Sequence, residues 1–383
     1  MLGATLIAGL GPGQLFEGLV ESDALDPVLE LRCESFSLQV PASRKEFAAQ
    51  FAGEKKFFAL QAAAADALWP LLDEPSRLLP RNLWKAASPR VLRFTGRPLT
   101  AVLDACGVRD QRLRLYCDAL CQITVQTDAA RAEAPVALAT LDYPFRGARH
   151  VRGGVGELAW ALLRKAQAAG AQPRMADAVK SIAPGFVIRS RRGETEARAV
   201  VANVLPRALQ KLAGVELPKL QDRVETGWGA CMLYLSLKGP QPARHLQLIA
   251  DSKLPLTHGN HVFCSVSGDT CTISTHVRIP VQAAGVQARM LQTLQLRAPE
   301  LWEERESHFT ASPRTFERFT GRPEGYVGGI PRRAGLKGYL DVLQPSLPRG
   351  LYLCGDTIFP GQSALAAALG GMLAARRALR GLP

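Results

Sequence analysis

The stretch from Gly350 to Leu379, GLYLCGDTIFPGQSALAAALGGMLAARRAL, constrains this chain more than any other. It divides into strand, turn and helix. Leu351 to Cys354 form a short apolar strand, and Gly355 lets the chain turn with no side chain in the way. Asp356 then projects at the strand's carboxyl end, where open α/β sheets bind ligands, and its carboxylate can accept hydrogen bonds from sugar or ribityl hydroxyls. Pro360 and Gly361 shape the next turn, and Ser363 is suited to cap a helix that runs through Arg377. The small residues Ala364, Ala366, Ala367 and Ala368 leave room for a flat ring or a pyrophosphate at the helix's positive end. The residues alone leave a cofactor site and a plain scaffold equally open.

The rest of the chain predicts a mixed α/β protein. Alternation in Val28 to Val40 (VLELRCESFSLQV) reads as strands. From Ser43 to about Arg131 the apolar spacing becomes helical, broken at Pro80 and Pro89. Further on, a glycine-rich turn at Val151 to Gly156 precedes an amphipathic helix, Glu157 to Ala169. Short strands follow at Ala178 to Ile182, Phe186 to Arg189 and Ala197 to Asn203. Residues 226 to 280 alternate as four strands of an antiparallel sheet. A helix around Val281 to Ala298 then leads into an irregular stretch, Gly321 to Gly338, of the kind that shapes sites.

Composition narrows the function classes. The net charge of +13 favours anionic partners. Its arginines cluster at 146, 149 and 152, at 189, 191 and 192, at 332 and 333, and at 376, 377 and 380, without the interleaved aromatics that stack on bases, so no nucleic acid is expected. An anionic membrane, touched peripherally, fits better. The eight cysteines lie in apolar surroundings without a CxxC pair and read as reduced core residues, which favours the cytoplasm. The start MLGATLIAGLGPG lacks the basic residues and the cleavage site of an export signal, so export is not expected, and no uninterrupted apolar run reaches the ~18 residues of a membrane span. His258 and His261 (HGNH) read as a turn between strands, His276 as a core or channel residue, and no metal site is expected. With no GxSxG, HExxH or P-loop, hydrolase and kinase readings lose their support.

The motif GLYLCGD, followed by FPGQ and a small-residue helix, resembles the C-terminal flavin motif of carotenoid isomerases, and more loosely that of phytoene desaturases and retinol saturases. Three more stretches match in family order: Arg152-Gly-Gly-Val-Gly-Glu157, Val200-Val-Ala-Asn203 with Pro206, and Gly325-Tyr-Val-Gly-Gly-Ile-Pro-Arg332. The resemblance implies a FAD/NAD(P)-binding, amine-oxidase-like fold. Residues 1–42, 151–215 and 345–383 would form the FAD-binding part. Residues 43–150 and 216–344 would form an interleaved substrate domain of antiparallel sheet and helices. It also implies FAD as cofactor, held by Gly355 and Asp356 at its ribityl and phosphate region, and by Gly361, Gln362, Ser363 and Ala364 at its isoalloxazine. Val179 would contact the adenine through its backbone.

Family members begin with a βαβ unit carrying GxGxxG. Here Gly9-Leu-Gly11-Pro-Gly13 fails that pattern because Gln14 replaces the last glycine, and GATLIAGLGPG instead resembles the family's next segment. The expectation is therefore an N-terminally incomplete fold, through truncation, a unit supplied by another chain, or loss of FAD binding. The implied activity is that of a FAD-dependent oxidoreductase on a long apolar polyene, carotenoid or retinoid-like. Isomerisation, desaturation and saturation are the candidate reactions, with no catalytic side chain assigned. The alternatives are a cofactor-deficient polyene- or lipid-binding relic and a generic flavin amine oxidase.

Overall fold

The computed structural model describes residues 5–7, 18–72, 88–336 and 345–382. The sequence also predicts a short helix from Gln14 to Val20, of which residues 14–17 lie outside the described residues. Strands β1 (Thr5–Ile7) and β2 (Ser22–Ala24) flank a later strand, while β3 (Leu29–Arg32) and β4 (Ser37–Val40) form the expected antiparallel pair. Alternation here separates buried Leu29, Leu31, Leu38 and Val40 from the polar face.

The helical region follows. It comprises α1 (Arg44–Ala49), α2 (Lys55–Leu68), α3 (Pro89–Leu92), α4 (Leu99–Cys106), α5 (Gln111–Thr124) and α6 (Ala134–Thr140). Ser43 caps α1 and Asp110 caps α5 with side-chain oxygens, and Gly107 ends α4 in the left-handed conformation. Pro89 opens α3 rather than breaking a helix, because a proline at the first helical position loses no hydrogen bond. Phe47, Phe57, Leu99, Leu113, Tyr116, Leu120 and Leu138 are buried in the core these helices share with β3 and β4.

Strand β5 (Ala148–Val151) pairs antiparallel with both β1 and β2. Then come α7 (Val155–Ala168) and a three-stranded meander of β6 (Val179–Ala183), β7 (Val187–Ser190) and β8 (Gly193–Glu196), the last not foreseen. Strand β9 (Val200–Ala202) leads through Pro206 into α8 (Pro206–Ala213) and α9 (Pro218–Glu225).

Residues 229–277 form two strands, not four: β10 (Gly229–Ile249) and β11 (His261–Val277), each running through the expected breaks. Bulges carry β10 through Gly239 and Pro240, with register shifts between Ser236, Gln241 and Arg244. The block expected in the FAD-binding part, 1–42, is divided by its hydrogen bonding. Strand β3 runs parallel to β10 inside the large sheet, while β2 stays with β5. Helix α10 (Ala283–Arg297) covers one face of this sheet, followed by α11 (Pro299–Glu303). The edge strand β12 (Arg305–Ala311) and α12 (Pro313–Thr320) come next, both missed in the sequence. The chain ends with β13 (Leu351–Leu353), parallel to β9, and α13 (Ala364–Gly381). Among the described residues no helix is long and apolar enough to cross a membrane.

One buried carboxylate ties the helical region together. Asp142, with a fully buried side chain, accepts hydrogen bonds from Arg44 at 2.6 and 2.7 Å, from Gln61 at 3.0 Å and from Arg146. Removing one partner of a buried ion pair leaves the other charge uncompensated, which costs about 3–5 kcal/mol. Asp142→Ala should therefore lower the unfolding free energy by about 3 kcal/mol or more, read from the urea midpoint, whereas the exposed Asp104→Ala should change it by less than about 1 kcal/mol.

Candidate active site

The carboxyl ends of β9 and β13 meet at Asn203 and at the Gly355–Asp356 turn. A Cβ at Gly355 would lie 2.4 Å from Asn203 Oδ1, and its φ of +110° also excludes other residues. The loop from Gly325 to Pro331 crosses this turn. A Cβ on Gly329 would sit 2.3 Å from the carbonyl oxygen of Asp356, and one on Gly328 would sit 2.7 Å from Gln126 Oε1. The irregularity expected for Gly321 to Gly338 thus has a cause: its backbone is threaded between two others.

Six of the seven residues foreseen as cofactor contacts lie on this one turn. Asp356 does not stand free, because Arg322 donates from Nη2 to both its oxygens at 3.0 and 3.1 Å. Gly361 packs near Arg332, which donates to the Pro360 carbonyl at 3.1 Å. Gln362 donates from Nε2 to the carbonyls of Ile123 (2.9 Å) and Thr124, and its Oε1 accepts from Gln126 Nε2 at 2.6 Å. Those carbonyls lie at the C-terminal end of α5, where helix carbonyls lack partners. Ser363, at φ +99°, caps α13 by accepting from Ala366 N at 3.1 Å. Ser363 and Ala364 are exposed, so the amino end of this long helix opens to solvent. The structure does not bring Val179 to this turn: it is exposed and pairs with Ser190 in the separate meander.

The large sheet presents two chemically different faces. Towards α10 it buries Cys231, Leu233, Leu246, Leu248, Cys264 and Ile273. The opposite face carries His245, Gln247, His261, Phe263, Ser274 and His276, and several of these line a small cavity with Ile123 and Ala230. His261 Nε2 lies 3.0 Å from Gln247 Oε1, and His150 Nε2 lies 2.9 Å from Ser267 Oγ. Ile123 joins the cavity to the turn that carries Gln362, since its carbonyl receives Gln362. Of this set, the sequence singles out His276, as a core or channel residue. It placed His261 in a turn, whereas His261 opens β11. His258 does lie in the turn, and its Nε2 accepts from Arg278 N at 3.1 Å. Among the described residues no cluster of three or more His, Cys, Asp or Glu could hold a metal.

Burial pushes His245 and His261 down to about 4, and His276 well below the usual imidazole range. All three are neutral at pH 7, so the cavity offers hydrogen bonds without formal charge. As pH falls below about 6.5, the unfolded chain takes up protons that the folded one refuses until about 4, so stability is lost on acidification. At pH 5 the loss should be on the order of 2 kcal/mol for each of His245 and His261. Urea midpoints at pH 7.5 and 5 should show this fall, and His261→Gln should reduce it; an unchanged pH slope in that variant would mean that His261 is not neutral and buried.

No protein-family model matches the chain. Its sequence is 26% identical to chloroplastic prolycopene isomerase of Arabidopsis thaliana over 312 residues, 70% of this chain and 52% of that protein. Over 67 residues it is 39% identical to prolycopene isomerase 1 of an Oncidium hybrid cultivar, covering 17% of this chain and 11% of that one. The chain thus spans about half the length, or less, of these curated relatives.

Solved structures cover nearly all of it. A putrescine oxidase double mutant from a redesign of cofactor binding superposes with a TM-score of 0.64 at 13% identity, covering 99% of this chain and 88% of its own. An oxidoreductase from Methanosarcina mazei gives 0.61 at 15%, covering 97% and 87%. The fatty acid isomerase of P. acnes that produces CLA gives 0.59 at 11%, covering 97% and 85%. The chain therefore has the fold of the FAD-dependent amine oxidases and oxidoreductases, and its sequence is similar to that of carotenoid isomerases.

Proposed function

We propose that this chain is a FAD-dependent enzyme that isomerises, desaturates or saturates a long apolar polyene, carotenoid or retinoid-like. The observation that carries the reading is the open amino end of α13. It stands beside the carboxyl ends of two parallel strands, and Gln362 pins it to the helix end that lines the sheet cavity. The curated relatives' names, prolycopene isomerases, support isomerisation as the reaction.

The residues present fit one end of the cofactor. Ser363 and Ala364 are exposed, and nothing larger than alanine follows them on the open side at Ala367. The backbone amides of the first turn favour negative charge there. Asp356 keeps lone pairs beyond those that Arg322 uses, enough for ribityl hydroxyls. When bound, the flavin supplies hydride exchange at its N5. The chain's part is to hold the ring at the helix start, to present the polyene across the cavity, and to keep charged acids and bases away from it. The neutral histidines of the sheet face suit that last task.

Purified protein mixed with excess FAD and then desalted should retain flavin near one equivalent, seen in its visible spectrum. Ala364→Trp, which fills the open space at an exposed position, should weaken FAD binding by tenfold or more without moving the unfolding midpoint. Loaded protein incubated with a poly-cis carotenoid should convert it, with the products resolved by chromatography. Colourless protein that still binds the polyene would instead establish the relic, and flavin-loaded protein that oxidises only amines would establish the amine oxidase.

A further inference from the structure

A second site stands behind the Trp228 ring. Arg278, at the end of β11, and Arg333, in the loop that follows Pro331, come from distant parts of the chain yet donate to the same atom, the carbonyl oxygen of Thr226, at 2.5 and 2.9 Å. Arg278 also donates to the Gly227 carbonyl at 2.9 Å, and its guanidinium lies 3.6 Å from the centre of the Trp228 ring. Arg131 is the third cation, close enough to disfavour the charged form of both, and it is paired with Asp128. Among the described residues neither Arg278 nor Arg333 has a carboxylate partner. Three cations therefore face one anion.

The simplest structural role would be to cap the carbonyl end of α9, whose C-cap is Thr226. That accounts for the carbonyl contacts. It leaves the charge unexplained, because a helix end offers only about half a negative charge against an excess of two positive ones. Burial, then the neighbouring guanidiniums, push Arg278 and Arg333 below the usual arginine range, so the arrangement is one that a bound anion would relieve. Each guanidinium has five donors in a planar fork, and the carbonyls use only some of them.

We propose that Arg278, Arg333 and Arg131 form a binding site for a phosphate group, on a ligand separate from the molecule that enters the sheet cavity. An excess charge of about two matches a phosphate dianion better than a single carboxylate, and fork geometry with a stacked aromatic platform is how arginine recognises phosphate. The phosphate can belong to a soluble molecule or to a lipid headgroup. This inference does not depend on the flavin reading, and its test uses no flavin.

Calorimetric titration with inorganic pyrophosphate should show saturable binding that weakens steeply with salt. The Arg278→Gln/Arg333→Gln double variant should lose at least tenfold in affinity, and the exposed Arg131→Gln should lose severalfold with its fold undisturbed. Arg318→Gln, a control on α12, should bind as the parent does. Co-sedimentation with phosphatidylcholine vesicles, with and without phosphatidic acid, separates the sources: sedimentation that requires phosphatidic acid and both arginines assigns a headgroup, and binding confined to pyrophosphate assigns a soluble ligand. Absence of saturable binding, or equal binding by Arg131→Gln and the parent, would overturn the proposal.

Discussion

The crossing of the Gly325–Pro331 loop over the Gly355–Asp356 turn is the constraint on which the rest of the site depends. Two carbonyl and amide surfaces approach so closely at Gly329 that a Cβ would fall 2.3 Å from the Asp356 oxygen, and at Gly328 one would fall 2.7 Å from Gln126. Such an approach leaves no room for a side chain on either glycine, so the loop, the turn and the end of α5 are packed against one another. Arg322, just before this loop, donates to both oxygens of Asp356, and Gln126, just after α5, donates to Gln362. The Gly355–Asp356 turn is therefore positioned by the same segment that packs against the end of α5.

Placement of the polar groups follows from the same geometry. A buried amide or imidazole without a partner costs about 1–3 kcal/mol, so their concentration on one face of the large sheet is not free. Some are satisfied within the sheet, as His261 is by Gln247. Another, Gln247 Nε2, is buried without a hydrogen-bond partner among the described residues. The opposite face, against α10, is filled with leucine, valine, isoleucine and cysteine like an ordinary core.

Local signals were legible in the sequence where local chemistry decides the structure. The strand, Gly355–Asp356 turn, Ser363 cap and small-residue helix appear as read, and so do β3 and β4, α7 and α10. What alternation could not show is parity. Residues facing α10 are odd-numbered from Cys231 to Leu237 and even-numbered at Leu246 and Leu248, because the bulged stretch between Ser236 and Arg244 shifts the pattern. That shift places His245 and Gln247 on the face that carries Ala230 and Met232, a long-range consequence of a few residues. Likewise, the parallel pairing of β3 with β10 joins positions some two hundred residues apart, and nothing local to Leu29–Arg32 encodes its partner. The Asp356–Arg322 pair is equally invisible, since neither residue's neighbours in sequence point to the other.

An amine oxidase, an oxidoreductase and a fatty acid isomerase share this fold at 11–15% identity to this chain. Holding a cofactor needs little more than close backbone approach and an open helix start, both of which survive wide sequence change so long as the glycines and small residues stay. Choosing a reaction needs specific side chains at a specific distance from the cofactor. In this chain the face that the α5 end joins to the turn carries the polar side chains His261, His276, Gln247 and Ser274. A group that must take or give a proton at neutral pH would need to be chargeable there, and burial holds these imidazoles uncharged. On the proposed reading, this face contributes orientation and exclusion of water rather than a proton donor or acceptor.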